Sequence, residues 1–155
     1  MLDLFEELKN LITRFADGQK DYALCGGLAL AIYGVTRATV DIDILIPKDS
    51  FAEIRPITEE LGYRLHATPM KFKGGVIEIH RVSKVDPETG DLFSLDFLFV
   101  TPRLEHIWKS RHPVLWEGGT LWVVSREGLI ALKEMRGSGQ DRDDIQRLKG
   151  IRDEN

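Results

Sequence analysis

Val40-Asp41-Ile42-Asp43-Ile44-Leu45-Ile46 sets two carboxylates into an otherwise apolar run. If the run is a strand, alternation sends Asp41 and Asp43 to one face and Ile42, Ile44 and Ile46 to the other, the core face. Aspartate packs poorly on a pleated, half-buried surface and is depleted from strands. Two of them at i and i+2 lie roughly 6 to 7 Å apart at the backbone, so their side chains can converge on one or two cations. Leu92-Phe93-Ser94-Leu95-Asp96-Phe97-Leu98-Phe99 repeats the pattern. Phe93, Leu95, Phe97 and Phe99 share one face, and Asp96 stands with Ser94 on the other. If these strands are neighbours, three carboxylates meet on one sheet surface. Unaided, they repel one another and favour protonation; for magnesium they are a set of hard oxygen ligands. An isolated Asp-x-Asp in a strand is more often a solvent-facing pair, so its surroundings decide the reading.

Upstream, Tyr22-Ala-Leu-Cys25 reads as a buried strand running into Gly26-Gly27, after which residues 28–33 read as a short helix closed by Gly34. Strand, two glycines, then helix is an arrangement in which backbone N–H groups can receive phosphate. Glycine lets such a group approach the backbone closely. Further out, Leu4, Phe5, Leu8, Leu11, Ile12 and Phe15 recur at helical spacing and predict a helix over 3–16. Ser50 begins a helix through Leu61, with Pro56 a candidate break. Strands are expected at 63–67, 76–82 and 92–100, with 84–91 as the turn between the last two. A short helix over 104–110 precedes a hairpin of 114–116 and 121–124 around Glu117-Gly118-Gly119-Thr120. Ser125 caps a helix through Arg136; Gly137-Ser138-Gly139 reads as a hinge before a last helix over 141–149. Helices at both ends and strands between them predict an α+β fold, a mixed β-sheet with helices packed on it.

With 155 residues, the chain has the size of one domain, expected to span 1–155, with a core over about 20–101 and the hairpin and helices over about 113–150. A net charge of −4 argues against a general electrostatic grip on nucleic acid. The single cysteine, Cys25, forms no intrachain disulfide and suits a reducing compartment. No apolar run approaches a membrane span, and the acidic amphipathic N-terminus is unlike a signal peptide. A cytoplasmic protein without membrane contact is expected.

Gly26-Gly27, thirteen residues, Asp41-Ile42-Asp43, and a later strand with Asp96 together resemble the nucleotidyltransferase superfamily, the DNA polymerase β-like fold. Arg37-x-Thr39-x-Asp41-x-Asp43 is more specifically similar to the branch of abortive-infection toxins and related bacterial nucleotidyltransferases. The resemblance implies a transferase that moves a nucleoside monophosphate from a nucleoside triphosphate to a hydroxyl or phosphate acceptor, within a toxin–antitoxin system in that branch. It implies that Gly26 and Gly27 hold phosphates, and that Asp41 and Asp43 bind Mg2+, with Mn2+ as an alternative. Asp96 would complete the metal site and help deprotonate the acceptor, so that two metals and three aspartates stabilise in-line transfer. Related proteins also carry a helix lysine, matched by Lys133, and a basic loop before the last helix. Here Ser138 and Gln140 replace the usual basic pair, leaving Arg136 or Arg142 to compensate.

Taken singly, these residues are less specific. Lys133 is equally a phosphate ligand or a solvated helix residue; Arg37 and Thr39 have a nucleotide-binding reading beside a salt-bridge or strand-edge one. The histidines show no metal-ligand spacing, and Glu78–His80 is the one pair to inspect. Cys25 reads as a small core residue, and Trp108, Trp116 and Trp122 as packing for the hairpin. The acceptor is open among tRNA, a protein side chain and a small molecule. With so little chain beyond the core, a homodimer or a partner protein is the expected source of any missing acceptor wall. The competing function is a non-catalytic nucleotidyltransferase-fold binding or antitoxin module. A metal-dependent nuclease would share the carboxylates but has no need of the glycine pair.

Overall fold

The structure, a computed structural model, describes residues 2–36, 39–117 and 119–150. In chain order its elements are α1 (Leu4–Asp17), β1 (Ala23–Cys25), α2 (Gly26–Ile32), β2 (Asp41–Pro47), α3 (Phe51–Glu60), β3 (Leu65–His66) and β4 (Met70–Phe72). They continue as β5 (Ile77–Val85), β6 (Leu92–Val100), α4 (Glu105–Lys109), β7 (His112–Trp116), β8 (Gly119–Val123), α5 (Arg126–Arg136) and α6 (Gly139–Lys149). The strands form one mixed sheet in the order β3-β5-β6-β2-β1-β8-β7, with β4 also paired to β5. β2 runs parallel to β6, and β1 to β8; the other pairings are antiparallel. The expected mixed sheet with helices packed on it is what the chain forms.

Burial decides which face of β2 is which. Ile42, Ile44 and Ile46 are fully buried in one apolar cluster with Leu8, Leu11 and Phe15 of α1. Each buried side chain of this size contributes about 1.5–3 kcal/mol. A one-residue slip would bury aspartates in their place, so the register is strongly specified. On β6, Phe97 and Phe99 point to the same side and meet Phe51 of α3, with ring centroids 5.9 and 5.3 Å apart. The two carboxylate-bearing strands therefore bury their isoleucines and phenylalanines under α1 and α3 and turn their aspartates to the opposite face.

Several boundaries move for local reasons. β5 runs on to Val85, because Val85 pairs with Leu92, so 84–85 belong to the strand and the turn shrinks. Of the strand expected at 63–67 only Leu65 and His66 pair in the sheet, while Tyr63 is buried and hydrogen-bonds Glu7 at 2.7 Å. The short β4 carries no alternation long enough to be read from sequence. Pro56 lies inside α3 without ending it; Pro56 and Ala52, whose carbonyl it leaves unbonded, are both exposed to water. The hinge expected at 137–139 is instead a junction of two caps. Gly137 closes α5 in the left-handed conformation, with φ 68°, and Ser138 opens α6 through a reciprocal capping box with Asp141.

Candidate active site

Register assembles the site. Across the sheet, Cys25 of β1 lies opposite Asp43 of β2, Asp43 opposite Asp96 of β6, and Asp96 opposite Arg81 of β5. With strands about 4.8 Å apart, the four side chains form one row on the face away from α1 and α3. Asp41 stands two residues along β2, opposite Ser94, on that same face. The aspartates of two runs 55 residues apart are thus neighbours.

The row forms one side of a cavity of about 500 Å³ between the sheet and helices α5 and α6. Gly26, Thr39, Asp41, Asp43, Asp96, Arg81, Lys133 and Arg136 are in its polar wall; Met70, Phe72, Ile77, Ile79 and Leu98 make an apolar one. Gly27 lies behind Thr39 rather than on the wall. Arg37 lies outside the described residues.

The glycine pair proves to have an internal reason. Gly26 has φ 68°, and a methyl group there would overlap the Asp43 carboxylate. A methyl on Gly27 would sit 2.7 Å from Thr39 Oγ1. The space read from sequence as an approach for phosphate is, at both α-carbons, filled by the protein's own Asp43 and Thr39. Gly26 seats the second aspartate against the backbone, and Gly27 seats Thr39.

The electrostatics of the three carboxylates differ sharply. Asp96 is buried and accepts two hydrogen bonds from Arg81, Nε to Oδ1 at 2.7 Å and Nη2 to Oδ2 at 2.9 Å. The same guanidinium reaches Asp41 at 3.7 Å. Its own pKa is pushed up, mainly by the hydrogen bonds to Asp96. Asp43 has neither hydrogen bond nor ion pair through its carboxylate among the described residues. Burial, then the charges of Asp96 and Asp41, push its pKa up to about 7. Partial burial and Asp96 raise Asp41 as well, against the pull of Arg81. Burial and Asp43 raise the Cys25 thiol, an inert neighbour rather than a nucleophile.

This donor set suits a hard divalent cation at Asp41 and Asp43, since Asp43 is an orphaned acid beside a second one. Among the described residues no three His, Cys, Asp or Glu side chains are gathered into a ready-made cage. Asp96 shares the face, but both its oxygens are engaged by Arg81. Arg81 was not singled out from sequence. Its signal was a charge at the third place of the alternation Ile77, Ile79, Arg81, where an apolar residue was due.

Lys133 reaches the same cavity from α5, buried and held by α6, with Nζ 3.2 Å from Asp144 and 3.5 Å from Asp141. Ser138, one of the replaced basic positions, donates to Asp141 at 2.6 Å, and Gln140, the other, donates to Asp144 at 3.1 Å. Of the two arginines that could compensate, Arg136 lies at the cavity wall and Arg142 does not. The Glu78–His80 pair lies on the opposite sheet face, its 2.7 Å hydrogen bond closing a ring stack on Phe99 at 4.2 Å. It belongs to packing.

This fold recurs in proteins that transfer nucleotides. The lincosamide antibiotic adenylyltransferase LnuA, bound to lincomycin, matches with a TM-score of 0.60 and 16% identity, over 95% of this chain and 97% of that one. ANT(2'')-Ia, in complex with adenylyl-2''-tobramycin, gives 0.59 and 15%, over 91% and 84%. An antigenic nucleotidyltransferase-like protein from Paracoccidioides brasiliensis gives 0.55 and 18%, over 92% and 74%. Residues 1–152 match the family described as "Nucleotidyltransferase of unknown function (DUF6036)", and the chain belongs to it. No curated protein matches it in sequence. Among the described residues no helix is long and apolar enough to cross a membrane.

Proposed function

We propose that the protein transfers a nucleoside monophosphate from a nucleoside triphosphate to the hydroxyl of a small-molecule acceptor, within one domain. The observation that carries this reading is the orphaned Asp43 carboxylate, seated on Gly26 beside Asp41 and across from Asp96. An acid burdened in this way, its pKa raised by burial and by like charges, is matched by a cation. Asp41 and Asp43 would hold Mg2+, or Mn2+ in its place. A divalent ion there supplies neutralisation of the charge that gathers on the phosphate oxygens during in-line transfer.

The remaining work falls to the chain's own groups. Gly26, seating Asp43, and Thr39, lodged against Gly27, line the side of the cavity assigned here to the phosphates. Arg136, largely exposed at the cavity wall across from Asp43, lends that side positive potential, which favours a polyanionic donor. Asp96 takes the proton from the attacking hydroxyl; the new ester oxygen bonds to the α-phosphorus as the bond to pyrophosphate breaks, and pyrophosphate leaves.

The apolar wall favours a small molecule among the three acceptor classes. Leu98 follows Asp96 on β6, and Met70, Phe72, Ile77 and Ile79 lie on the strands beyond it, away from the glycine pair, the side this reading gives to the acceptor. A cavity of about 500 Å³ with one apolar wall and a few convergent polar groups has the size and character of a small-molecule site. A tRNA end would call for clustered positive charge, whereas the chain carries −4. Lincomycin and an adenylylated tobramycin, bound by proteins of the same fold, support that preference.

The test incubates purified protein with magnesium and each α-labelled triphosphate, against tRNA, a protein extract and the small-molecule filtrate of that extract. Label should move to the filtrate, and an Asp41→Ala/Asp43→Ala control should lose transfer by at least about a thousandfold. Triphosphate binding indifferent to that substitution and to magnesium removal overturns catalysis and favours a non-catalytic binding or antitoxin module.

A further inference from the structure

Arg81 occupies the position from which a cation would be drawn to the acidic row. Its planar fork takes both oxygens of Asp96 through Nε and Nη2, and the same Nη2 lies 3.7 Å from Asp41. Two-pronged pairing of this kind is strong and directional. Register makes it obligatory, since Arg81 and Asp96 are directly opposed on adjacent antiparallel strands. On the same face, the next opposed pair along is Ser83 and Ser94, buried and bonded to each other at 2.8 Å. The pair after Arg81 and Asp96 in the other direction is Ile79 and Leu98. Arg81 thus has no other acid of β5 or β6 on this face to turn to. Its alternatives are Asp41 and the open cavity.

We propose that Arg81 is a built-in counter-cation that competes with the divalent ion for Asp96 and Asp41, so that its release of these carboxylates sets how tightly the site takes up metal. This rests on the transferase reading above, in which Asp96 must accept a proton and Asp41 must face a metal. Asp96 is a weaker base and a poorer metal ligand while both oxygens serve the guanidinium. A charged, half-exposed side chain at the cavity wall has somewhere to go, and the phosphates of an incoming nucleotide are its natural second partner. Arg81 is therefore a positioning residue that holds Asp96 until donor and cation arrive.

The experiment titrates Mn2+ alone into the purified protein, read by electron paramagnetic resonance or calorimetry, with no nucleotide and no turnover. Arg81→Met should bind Mn2+ about tenfold more tightly than the parent chain, the scale of one removed charge near a partly wetted site. Arg81→Lys, which keeps the charge but loses the fork, should fall between them. A residue that only props up the sheet predicts the reverse, weaker binding in both variants. Arg81→Met should also melt lower without metal and regain more on adding Mn2+ than the parent does. If Arg81→Met does not fold, the order of Arg81→Lys and parent alone decides. Parent-like or weaker Mn2+ binding in the variants, with the parent itself binding, overturns the role of Arg81 and leaves the transferase reading standing. No Mn2+ binding by the parent or either variant, unchanged by Asp43→Asn, overturns the metal reading and this proposal with it.

Discussion

Two sets of acids and bases face each other across the cavity, and they are finished to different degrees. On α5 and α6, Lys133 meets Asp141 and Asp144, Ser138 and Gln140 supply further hydrogen bonds, and all three charged groups are buried. On the sheet, one arginine serves Asp96 and leans toward Asp41, while Asp43 has no partner among the described residues. With Arg136 3.8 Å from Asp141 as a second cation, the helical cluster balances its charges internally and has the character of a structural tie. The sheet cluster carries surplus negative charge that folding left uncompensated. Proteins tolerate such a surplus where a ligand balances it, and that contrast, more than the count of aspartates, supports the proposal that the sheet face is the working one.

The contrast breaks most visibly at Lys133. Replacing it with methionine leaves Asp141 and Asp144 buried without their cation, and the expected cost is about 3–5 kcal/mol. Denaturant unfolding measures it directly. A variant as stable as the parent but unable to bind triphosphate would move Lys133 from the tie to the nucleotide grip, the role its sequence position first suggested.

The next test is smaller and has a sign. The Asp43 carboxyl holds its proton up to about 7, against about 4 for an ordinary aspartate. The folded protein thus binds that proton more tightly than the unfolded chain, so protonation favours folding. Stability should fall as pH rises from about 4 to about 7, and added Mg2+ should offset the loss above that window. Thermal melts from pH 4 to 8, with and without Mg2+, read the effect as the difference between parent and Asp43→Asn, which cancels the other titrations. A parent profile that matches Asp43→Asn would mean that Asp43 is compensated after all.

The smallest expected effect sharpens the other side. Ser138→Ala removes the capping hydroxyl and should cost about 1 kcal/mol by denaturant unfolding. It should leave Mn2+ binding unchanged, because Ser138 serves the closed cluster. A shift in Mn2+ affinity would show that the two clusters are coupled through Asp141.

Legibility followed the range of each interaction. Alternation over seven residues announced β2 and the direction of Asp41 and Asp43, because one side of a strand must be apolar to be buried. The same reasoning on Leu92–Val100 picked out Asp96. β4 was missed because three residues hold too little pattern to stand out, even though they fold straight back on the next strand, β5, around Lys73–Gly75. The hinge at 137–139 was misjudged because Gly-Ser-Gly composition suits both a flexible linker and a cap-to-cap junction; the Asp141 carboxylate three residues on selects the second. Gly26 and Gly27 were noticed for the right feature, their lack of side chains. What fills the space is Asp43 and Thr39, far enough along the chain that only folding brings them there.

By itself the sequence determined the class of fold, the faces of the two acidic strands and the family's motif, all carried by residues within one element or by short spacings. The tertiary structure decided what those residues do to one another. It set Asp43 beside Asp96 through the parallel pairing of β2 and β6, and brought an unremarked Arg81 onto Asp96. It also turned Lys133 toward Asp141 and Asp144. Charge interactions act through space over a few ångströms, and chain order does not record which strands will lie side by side.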